Sequence, residues 1–216
     1  MTPFTLEGSG LALSRLEHLD ILMSGVGGQG IILASDILCD VAMLDGYDVK
    51  KSDSLGMSQR GGSVLSHVRV GKRVFSPLIQ RGAADILISF EKLEGARNVH
   101  FLKQNGTAIV NDYAIAPLMV SAGRQKYPDD PTIRTLFASR TDHTFFVNAQ
   151  GIAANMGNPR IANLVMLGFL SAFLPLKQET WKETIARRVP QRYVQLNLDA
   201  FLKGAKAAEG RQQYDS

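Results

Sequence analysis

The sequence predicts an α/β fold in which a mostly parallel β-sheet lies between two layers of helices. Short apolar runs stop at glycine or polar residues, as buried parallel strands do, and the clearest are LDILMS, ADILISF and TAIVN. Segments with helical apolar spacing separate these runs, and after residue 148 the chain is predicted to be helical to its end. Strands that alternate with helices are typical of a parallel sheet covered on both faces. We therefore expect a three-layer α/β sandwich with a helical C-terminal region.

The first predicted unit is a strand, a glycine turn and a helix. Residues 19–24 form the strand, residues 25–30 read GVGGQG, and residues 31–44 carry helical apolar spacing. Gly46 then suits the C-cap of that helix. This order is the opening unit of a Rossmann-like fold.

A β-hairpin is expected to interrupt the alternation of strands and helices. Residues 47–54 hold the second predicted strand, and a loop rich in glycine and serine follows. Residues 64–70 alternate well enough for a strand. Gly71 and Lys72 then predict a tight turn into a returning strand at residues 73–76.

The rest of the chain is predicted to continue in the same manner. Strands are expected at 84–90, 107–111 and 144–148, and helices at 91–104, 132–139, 151–156, 159–174, 178–187 and 191–208. Apart from the short helix, residues 113–142 have no assigned structure, because three prolines interrupt them. We divide the chain into a lead-in at residues 1–18, one domain at 19–208 and a polar tail at 209–216.

Composition bounds the chemistry of the chain. Its 216 residues, 45% hydrophobic and 20% charged, are typical of a globular domain with one core. The single cysteine, Cys39, excludes an internal disulfide, a Cys-rich zinc site and a four-thiolate iron–sulfur cluster held by this chain alone. Four histidines fall in separate segments, and neither GxSxG nor HExxH occurs. We therefore expect no metal site and no self-contained catalytic residues.

The charge distribution and the apolar segments limit the partners and the location that we expect for the protein. The formal net charge of +4 is spread along the chain without a basic, aromatic-rich face, so we expect no nucleic-acid binding. No basic segment precedes an apolar stretch near the N-terminus, which argues against a secretory signal. The most apolar segment, residues 161–176, is shorter than the roughly 20 residues that a membrane span needs. With a lone thiol, these features lead us to expect a cytoplasmic protein without a membrane span.

The glycine turn is a candidate phosphate-binding loop. Gly25, Gly27 and Gly30 fit GxGxxG between a strand and a helix, where backbone N–H groups and the helix dipole favour an anion. An NAD enzyme would also place Asp or Glu at the end of the second strand, but Asp48 precedes that strand and Asp53 lies just beyond it. NAD binding is therefore disfavoured. Phosphate binding and simple close packing of helix on strand both stay open.

Three further stretches are candidates for a site. Arg60, in SQRGGS, is placed to bond a phosphate or carboxylate, or it lies on an ordinary surface loop. Glu91 follows a buried strand, where ligands bind in open α/β sheets, or it is a helix-start acid favoured by the dipole. In GNPR and the helix after it, Asn158 marks a helix start and Asn163 is expected to be buried and paired.

Four ordered motifs carry a resemblance to a known family. They are GVGGQGIILASDIL, SLGMSQRGGSVLSHVRVG, SPLIQRGAADILISFEKLEGAR and NLVMLGFL. Together they resemble the gamma-type subunits of 2-oxoacid:ferredoxin oxidoreductases, the pyruvate/ketoisovalerate oxidoreductase catalytic-domain family. The resemblance runs from about Leu19 to about Ala205 and is strongest to members that act on arylpyruvates such as indolepyruvate.

The resemblance implies a division of labour between subunits. Such enzymes oxidatively decarboxylate a 2-oxoacid with coenzyme A, release acyl-CoA and CO₂, and pass electrons to ferredoxin. Thiamine diphosphate, Mg²⁺ and the iron–sulfur clusters are then expected on a larger companion subunit, and this chain binds no cofactor firmly. Coenzyme A is expected near this Rossmann-like module. The chain alone is expected to be inactive.

The resemblance also implies which residues face a ligand or partner. They are Gly25, Gly27, Gly28, Gln29 and Gly30 of the glycine loop, and Ser58, Gln59, Arg60, Gly61 and Gly62 of the second loop. Glu91 and Asn163, which match further family positions with Gly168, are expected as support.

Three alternatives stay open. The first is a gamma-type subunit for another 2-oxoacid, namely pyruvate, phenylglyoxylate or 2-oxoglutarate. The second is a stand-alone Rossmann oxidoreductase that binds a nucleotide. The third is an assembly module with an empty glycine loop.

Overall fold

The computed structural model describes residues 17–56 and 61–212. Within them the strands are β1 (His18–Val26), β2 (Asp48–Leu55), β3 (Ser63–Gly71), β4 (Ala84–Ser89), β5 (Leu102–Asn111) and β6 (Thr144–Val147). The helices are α1 (Ile31–Leu44), α2 (Lys92–Asn98), α3 (Leu118–Ser121), α4 (Asp130–Ala138), α5 (Ala149–Asn155), α6 (Ala162–Ser171), α7 (Gln178–Arg188) and α8 (Val194–Gln212). Short 3₁₀ turns at Val99–Phe101, Pro159–Ile161 and Gln191–Tyr193 lead into β5, α6 and α8.

The strands form one sheet in the order β2-β3-β1-β4-β5-β6. Strand β3 runs antiparallel to both of its neighbours, and β1, β4, β5 and β6 pair in parallel. Since β2 and β1 both oppose β3, five strands run in one direction. The carboxyl ends of these five strands therefore meet at one end of the sheet, which we call the carboxyl end; the other is the amino end.

The hairpin lies one strand earlier than predicted. Strand β3 pairs antiparallel with β2 along its whole length, from Asp48 opposite Gly71 to Leu55 opposite Val64. Residues 73–76 form no strand, so the predicted return after Lys72 was wrong. The reason is that β1 occupies the other edge of β3, which leaves no free edge for a third partner.

Two cores cover the two faces of the sheet, as a three-layer sandwich requires. Alternate residues of a strand point to opposite faces. In β1, Ile21 and Met23 join a large core with α1, α5, α6, α7 and α8. Leu22, from the opposite face, joins a smaller core with α2 and α4. Each fully buried aliphatic side chain contributes about 2 kcal/mol, so both layers stabilise the sheet substantially.

Helices α6 and α8 touch backbone to backbone. A Cβ added at Gly168 would lie 1.9 Å from the Phe201 carbonyl oxygen, and one at Gly204 would lie 1.9 Å from the Val165 carbonyl oxygen. The apolar α6 is buried on all sides by this contact and by the sheet. Among the described residues, no helix combines the length and the apolar character that crossing a bilayer demands.

Some element boundaries differ from the prediction. The helix predicted at 91–104 ends at Asn98, because Leu102 pairs with Ala84 as the start of β5 and is fully buried in the smaller core. The last helix continues to Gln212, into the segment predicted as a polar tail. Residues 113–142, largely unassigned from sequence, contain α3 and α4.

Candidate functional site

The carboxyl end has a crevice where the strand order reverses. From β1 the chain passes through α1 to β2 and β3 on one side, whereas β4 lies on the other side of β1. Helix α1 packs in the larger core and α2 in the smaller one, so the two loops after β1 and β4 part toward opposite faces. In open α/β sheets this position is where ligands bind.

The glycine loop after β1 is held in place by the side chain of Gln29. Its Oε1 accepts a hydrogen bond from the Val26 backbone N–H at 2.8 Å, and its Nε2 donates to the Phe90 carbonyl at 2.7 Å. The Gln29 amide thus links the ends of β1 and β4 across the crevice. Gly25 must stay small, because a Cβ there would lie 2.8 Å from Gln29 Oε1.

The last glycine of the loop begins helix α1 without a capping side chain. Gly30 has φ 77° and occupies the N-cap, and no acidic residue lies in the first turn of α1. A Cβ at Gly30 would lie 2.4 Å from Asn163 Nδ2, an atom that donates to the Gly30 carbonyl at 3.4 Å. Gly28, at φ 103°, has no atom within 4 Å of an added Cβ and is exposed. The loop therefore offers open backbone at Gly28 and close packing at Gly30.

The second predicted loop joins the first. The Gly27 N–H donates to the Gly62 carbonyl at 2.8 Å, and the Gly61 N–H donates to the Gly27 carbonyl at 3.4 Å. These bonds continue the pairing of β1 with β3 beyond Val26 and Ser63. Of the residues predicted on this loop, Ser58, Gln59 and Arg60 lie outside the described residues.

Glu91 is buried and turned away from the crevice. Its carboxylate caps α2 by accepting from the Glu94 N–H at 2.8 Å, and it also accepts from the Ile115 N–H at 3.1 Å and from the Tyr127 hydroxyl. Burial, and next this hydrogen bond to Glu91, raise the pKa of Tyr127. The position next to a strand end predicted either a ligand contact or a helix-start acid, and the geometry is that of the second.

Lys92 extends the same anchoring. Its side chain is 12% exposed, and its ammonium pairs with Asp112 at 3.2 Å and with Asp130 at 2.6 Å. Together with Glu91 it ties the segment after β5 to the start of α2. This segment brings Tyr113 to the crevice.

A cleft of about 180 Å³ lies at the crevice. Its lining consists of Gly28, Gln29, Phe90, Asn111, Tyr113, Gln150, Pro159, Arg160, Ala162 and Asn163. Arg160 is the charged side chain among them, and none of the described carboxylates pairs with it. Small-molecule sites are commonly about 300 to 1,000 Å³, so this cleft has room for a small group rather than for a whole cofactor.

Some lining residues were missed from sequence. Asn111 ends a predicted strand, and its position at the carboxyl end was the available signal; it donates to the Phe90 carbonyl at 3.2 Å and accepts from the Ala149 N–H at 3.1 Å. Arg160 was noted only within a helix-start motif. Tyr113 and Gln150 had no signal, because their places depend on how the segments after β5 and β6 pack.

The lone thiol plays no part in this site. Cys39 is buried in α1, and burial raises its pKa to about 12, so it stays protonated and unreactive. In the described part of the chain, no three His, Cys, Asp or Glu side chains cluster closely enough to hold a metal ion.

Sequence comparison identifies relatives over nearly the whole chain. The pattern that defines the family described as "Pyruvate ferredoxin/flavodoxin oxidoreductase" matches residues 20–207. The indolepyruvate oxidoreductase subunit IorB of Pyrococcus horikoshii is 36% identical over 197 residues, covering 90% of this chain and 98% of that protein. IorB of Archaeoglobus fulgidus is 38% identical over 193 residues, covering 88% and 96%. The 2-oxoglutarate synthase subunit KorC of Methanocaldococcus jannaschii is 28% identical over 195 residues, covering 88% and 94%.

Solved structures share the fold. The gamma subunit of a keto/oxoacid ferredoxin oxidoreductase from Geobacter sulfurreducens superposes with a TM-score of 0.66 at 27% identity, covering 89% of this chain and 99% of that one. The 2-oxoglutarate:ferredoxin oxidoreductase from Magnetococcus marinus has a TM-score of 0.70 at 22% identity, covering 91% of this chain and 32% of that one. At such low identity the second likeness shows the fold alone.

Proposed function

Because the chain belongs to the pyruvate ferredoxin/flavodoxin oxidoreductase family and is a subunit of a 2-oxoacid:ferredoxin oxidoreductase, we propose that it serves an indolepyruvate-type enzyme. The observation that carries this proposal is the 36% identity to an indolepyruvate oxidoreductase subunit over 98% of that subunit's length. The 28% identity to a 2-oxoglutarate synthase subunit favours the arylpyruvate substrate over 2-oxoglutarate.

The redox and thiamine chemistry is proposed to lie on a larger companion subunit in the cytoplasm. This chain has one cysteine, and that thiol is buried and protonated, which supports placing the iron–sulfur clusters elsewhere. Thiamine diphosphate with Mg²⁺ would supply carbanion stabilisation for the decarboxylation. The residues described in this chain do not fit those groups, so its own contribution is to position and bind.

The cleft is proposed to receive one anionic group, a phosphate of coenzyme A or the carboxylate of the 2-oxoacid. Arg160 supplies a cation, and the exposed Gly28 allows close approach to backbone N–H groups. The α1 N-terminus adds a favourable dipole without an opposing acid. Because the cleft is too small for a whole cofactor, it is proposed to hold only the anionic end of the ligand.

Reconstitution tests the proposed function. The chain is co-expressed with a companion subunit that carries thiamine and cluster motifs, and indolepyruvate-dependent, coenzyme A-dependent reduction of a viologen dye is measured. We expect activity only from the complex and a higher kcat/KM for indolepyruvate than for 2-oxoglutarate. Turnover by the isolated chain, or its tight binding of NAD, would favour a stand-alone nucleotide-binding oxidoreductase instead. A preference for 2-oxoglutarate would refute the proposed substrate.

Two arginine variants locate the anion contact. In the complex, Arg160→Gln should raise the KM for coenzyme A or for the 2-oxoacid about tenfold, as loss of a charge-assisted contact does, and leave assembly intact. Arg60→Ala tests the predicted contact of the second loop in the same assay. The matched control is Lys206→Gln, which removes an exposed cation of α8 that does not line the cleft. If Arg160→Gln behaves like this control, the cleft does not bind the anion.

A further inference from the structure

A second distinctive surface lies at the amino end of the sheet, opposite the cleft. Residues 72–83, here the amino-end loop, connect the end of β3 to the start of β4. Within this loop the Phe75 side chain is 82% exposed and that of Leu78 is 58% exposed. The two residues are three positions apart, so their Cα atoms lie within about 11 Å of each other. Large apolar side chains so close together in water mark an interaction surface more often than isolated ones do.

Side-chain hydrogen bonds fix the first half of this loop. The Val74 N–H donates to Asp48 Oδ2 at 2.8 Å, and the Val74 side chain is buried. Arg69 Nη1 donates to the Ser76 carbonyl at 3.1 Å and lies 3.4 Å from the Leu78 carbonyl. The Arg69 guanidinium is itself fixed, because its Nε donates to the buried carboxylate of Asp20 at 2.8 Å.

The second half is fixed in the same way. The Ile79 N–H donates to Nδ1 of the buried His67 at 3.2 Å, and the Ile79 side chain is buried. The Gly82 N–H donates to the His100 carbonyl at 3.0 Å. The loop therefore presents Phe75 and Leu78 from a fixed backbone, which lowers the entropy lost when a partner binds.

The charged side chains of the loop itself are all positive. The loop contains no acidic residue. The Arg73 guanidinium lies 5.0 Å from the Phe75 ring centroid, and Arg81 is exposed. Lys72 is paired with Glu17 at 2.6 Å, but neither arginine has a carboxylate partner among the described residues. Aromatic and arginine side chains together are the composition enriched at the centres of protein interfaces.

The charge of the amino-end loop limits which molecule can bind to it. Residues 1–16 carry one glutamate and one arginine, so this segment does not complement a cationic surface. A second copy of the chain has a formal net charge of +4 and is repelled by it. Nucleic acid would need a longer basic stripe than two arginines around an apolar centre. An acidic protein surface with an apolar hollow remains as the matching partner.

We propose that the amino-end loop docks on the companion subunit of the enzyme, with Phe75 and Leu78 in an apolar hollow and Arg73 and Arg81 against carboxylates at its rim. The proposal rests on the proposed function, since it assigns the partner to the same enzyme. The chain then binds a ligand in the cleft at the carboxyl end and the companion subunit through the amino-end loop.

The test compares two double variants in the co-expressed enzyme. Leu78→Ser with Arg81→Glu changes the loop, and Leu202→Ser with Lys203→Glu makes the same kinds of change on the exposed side of α8. We expect the loop variant to raise the Kd for the companion subunit about tenfold or more and the α8 variant to leave it unchanged. Binding of the wild-type chain should weaken as salt rises, because rim charges are screened. Circular dichroism confirms that both variants are folded.

A fluorescent reporter provides a second measurement without disrupting the surface. Trp181 is buried, so Phe75→Trp adds an exposed indole whose emission should shift to shorter wavelength when the companion binds. An unchanged emission, or a loop variant that binds as wild type does, would overturn the docking proposal and leave the proposed function standing. If removal of residues 1–16 shifts the emission of the isolated Phe75→Trp protein to longer wavelength, the N-terminal segment covers the loop. If the wild-type chain forms a dimer that the loop variant does not form, a second copy covers it. Either result would mean that the proposal is wrong. If the wild-type chain binds no companion, the proposed function falls with it.

Discussion

The glycine loop and the amino-end loop expose different parts of the chain. At the carboxyl end, side chains such as Gln29 and Asn163 turn inward to hold a glycine loop, and open backbone at Gly28 faces the cleft. In the amino-end loop, side chains such as the half-buried Arg69 hold the backbone, and large apolar side chains face outward. Both loops have a fixed backbone, but the glycine loop exposes its backbone and the amino-end loop exposes its side chains.

This difference separates two kinds of recognition. Exposed backbone with a nearby cation suits a small anion, because the backbone N–H groups approach the anion closely. Binding of such an anion buries little apolar area. Exposed aromatic and aliphatic side chains suit a protein surface, where burial of apolar area supplies the free energy. The comparison predicts that variants of the cleft change ligand binding and catalysis, whereas variants of the amino-end loop change assembly.

The largest effect is expected from loss of the buried Glu91 carboxylate. Glu91→Ala leaves the N–H groups of Glu94 and Ile115 and the hydroxyl of Tyr127 without their acceptor inside the protein. An unsatisfied buried group, here the Glu94 N–H, costs about 1 to 3 kcal/mol, and the two partly buried groups cost less, so the free energy of unfolding should fall by about 4 kcal/mol in urea denaturation.

A conservative variant separates shape from charge at this position. Glu91→Gln keeps one acceptor oxygen and the side-chain volume, so it should lose about half as much stability. It should also leave binding to the companion through the amino-end loop unchanged. A Glu91→Ala protein as stable as wild type would show that water replaces the carboxylate and that the segment after β5 is not anchored by it.

The next effect is expected at Gly30, with Gly28 as the matched control. Both glycines have positive φ, 77° and 103°, but only a Cβ at Gly30 meets Asn163, at 2.4 Å from Nδ2. Gly30→Ala combines backbone strain with overpacking and should destabilise the fold by about 2 to 4 kcal/mol. Gly28→Ala has backbone strain alone and should cost about 1 to 2 kcal/mol.

Enzyme assays of the same pair sharpen the comparison between the two ends. Gly28→Ala should raise the KM for the anionic ligand in the complex more than its small loss of stability explains, because its Cβ covers open backbone at the cleft. Neither variant should change the Kd for the companion subunit. Equal stability of the two alanine variants would contradict the assigned role of Asn163.

Most of the fold could be predicted from local sequence. The GVGGQG turn and the helix at 31–44 match the structure, because apolar periodicity and glycine spacing are local signals. The hairpin partner could not be predicted, since the pairing of β3 with β2 depends on which sheet edge is free. The end of α2 was also missed, because burial of Leu102 outweighed its helical spacing.

The site was predictable only where the sequence itself carries the loop. Gly27 and Gly62 were expected at one edge and are hydrogen-bonded there. Asn163 was expected to be buried and paired, and it packs on Gly30. Arg160 and Tyr113 reach the cleft from segments far apart in sequence, so no local pattern could bring them together.

The smallest effect is a pH dependence at the amino end. Burial lowers the pKa of His67 below its ordinary value near 6.5, against the opposing charges of Asp20 and Asp53. The folded protein therefore binds fewer protons than the unfolded chain between that lowered pKa and about 6.5, and its stability falls as pH drops through this window. Protonated Nδ1 can no longer accept the Ile79 N–H, a bond worth about 1 kcal/mol.

We expect the change at His67 to alter binding of the companion subunit only through the amino-end loop. We expect the Kd for the companion to rise as the pH falls through the lowered pKa of His67, and the dependence to shrink in His67→Gln, whose side chain does not titrate in this range. Carboxylates of the partner also titrate at low pH, so the difference between wild type and His67→Gln is the measured quantity. Identical pH profiles for the two proteins would mean that His67 does not control the loop, and the fixed backbone at the amino end would then depend on Arg69 and Asp48.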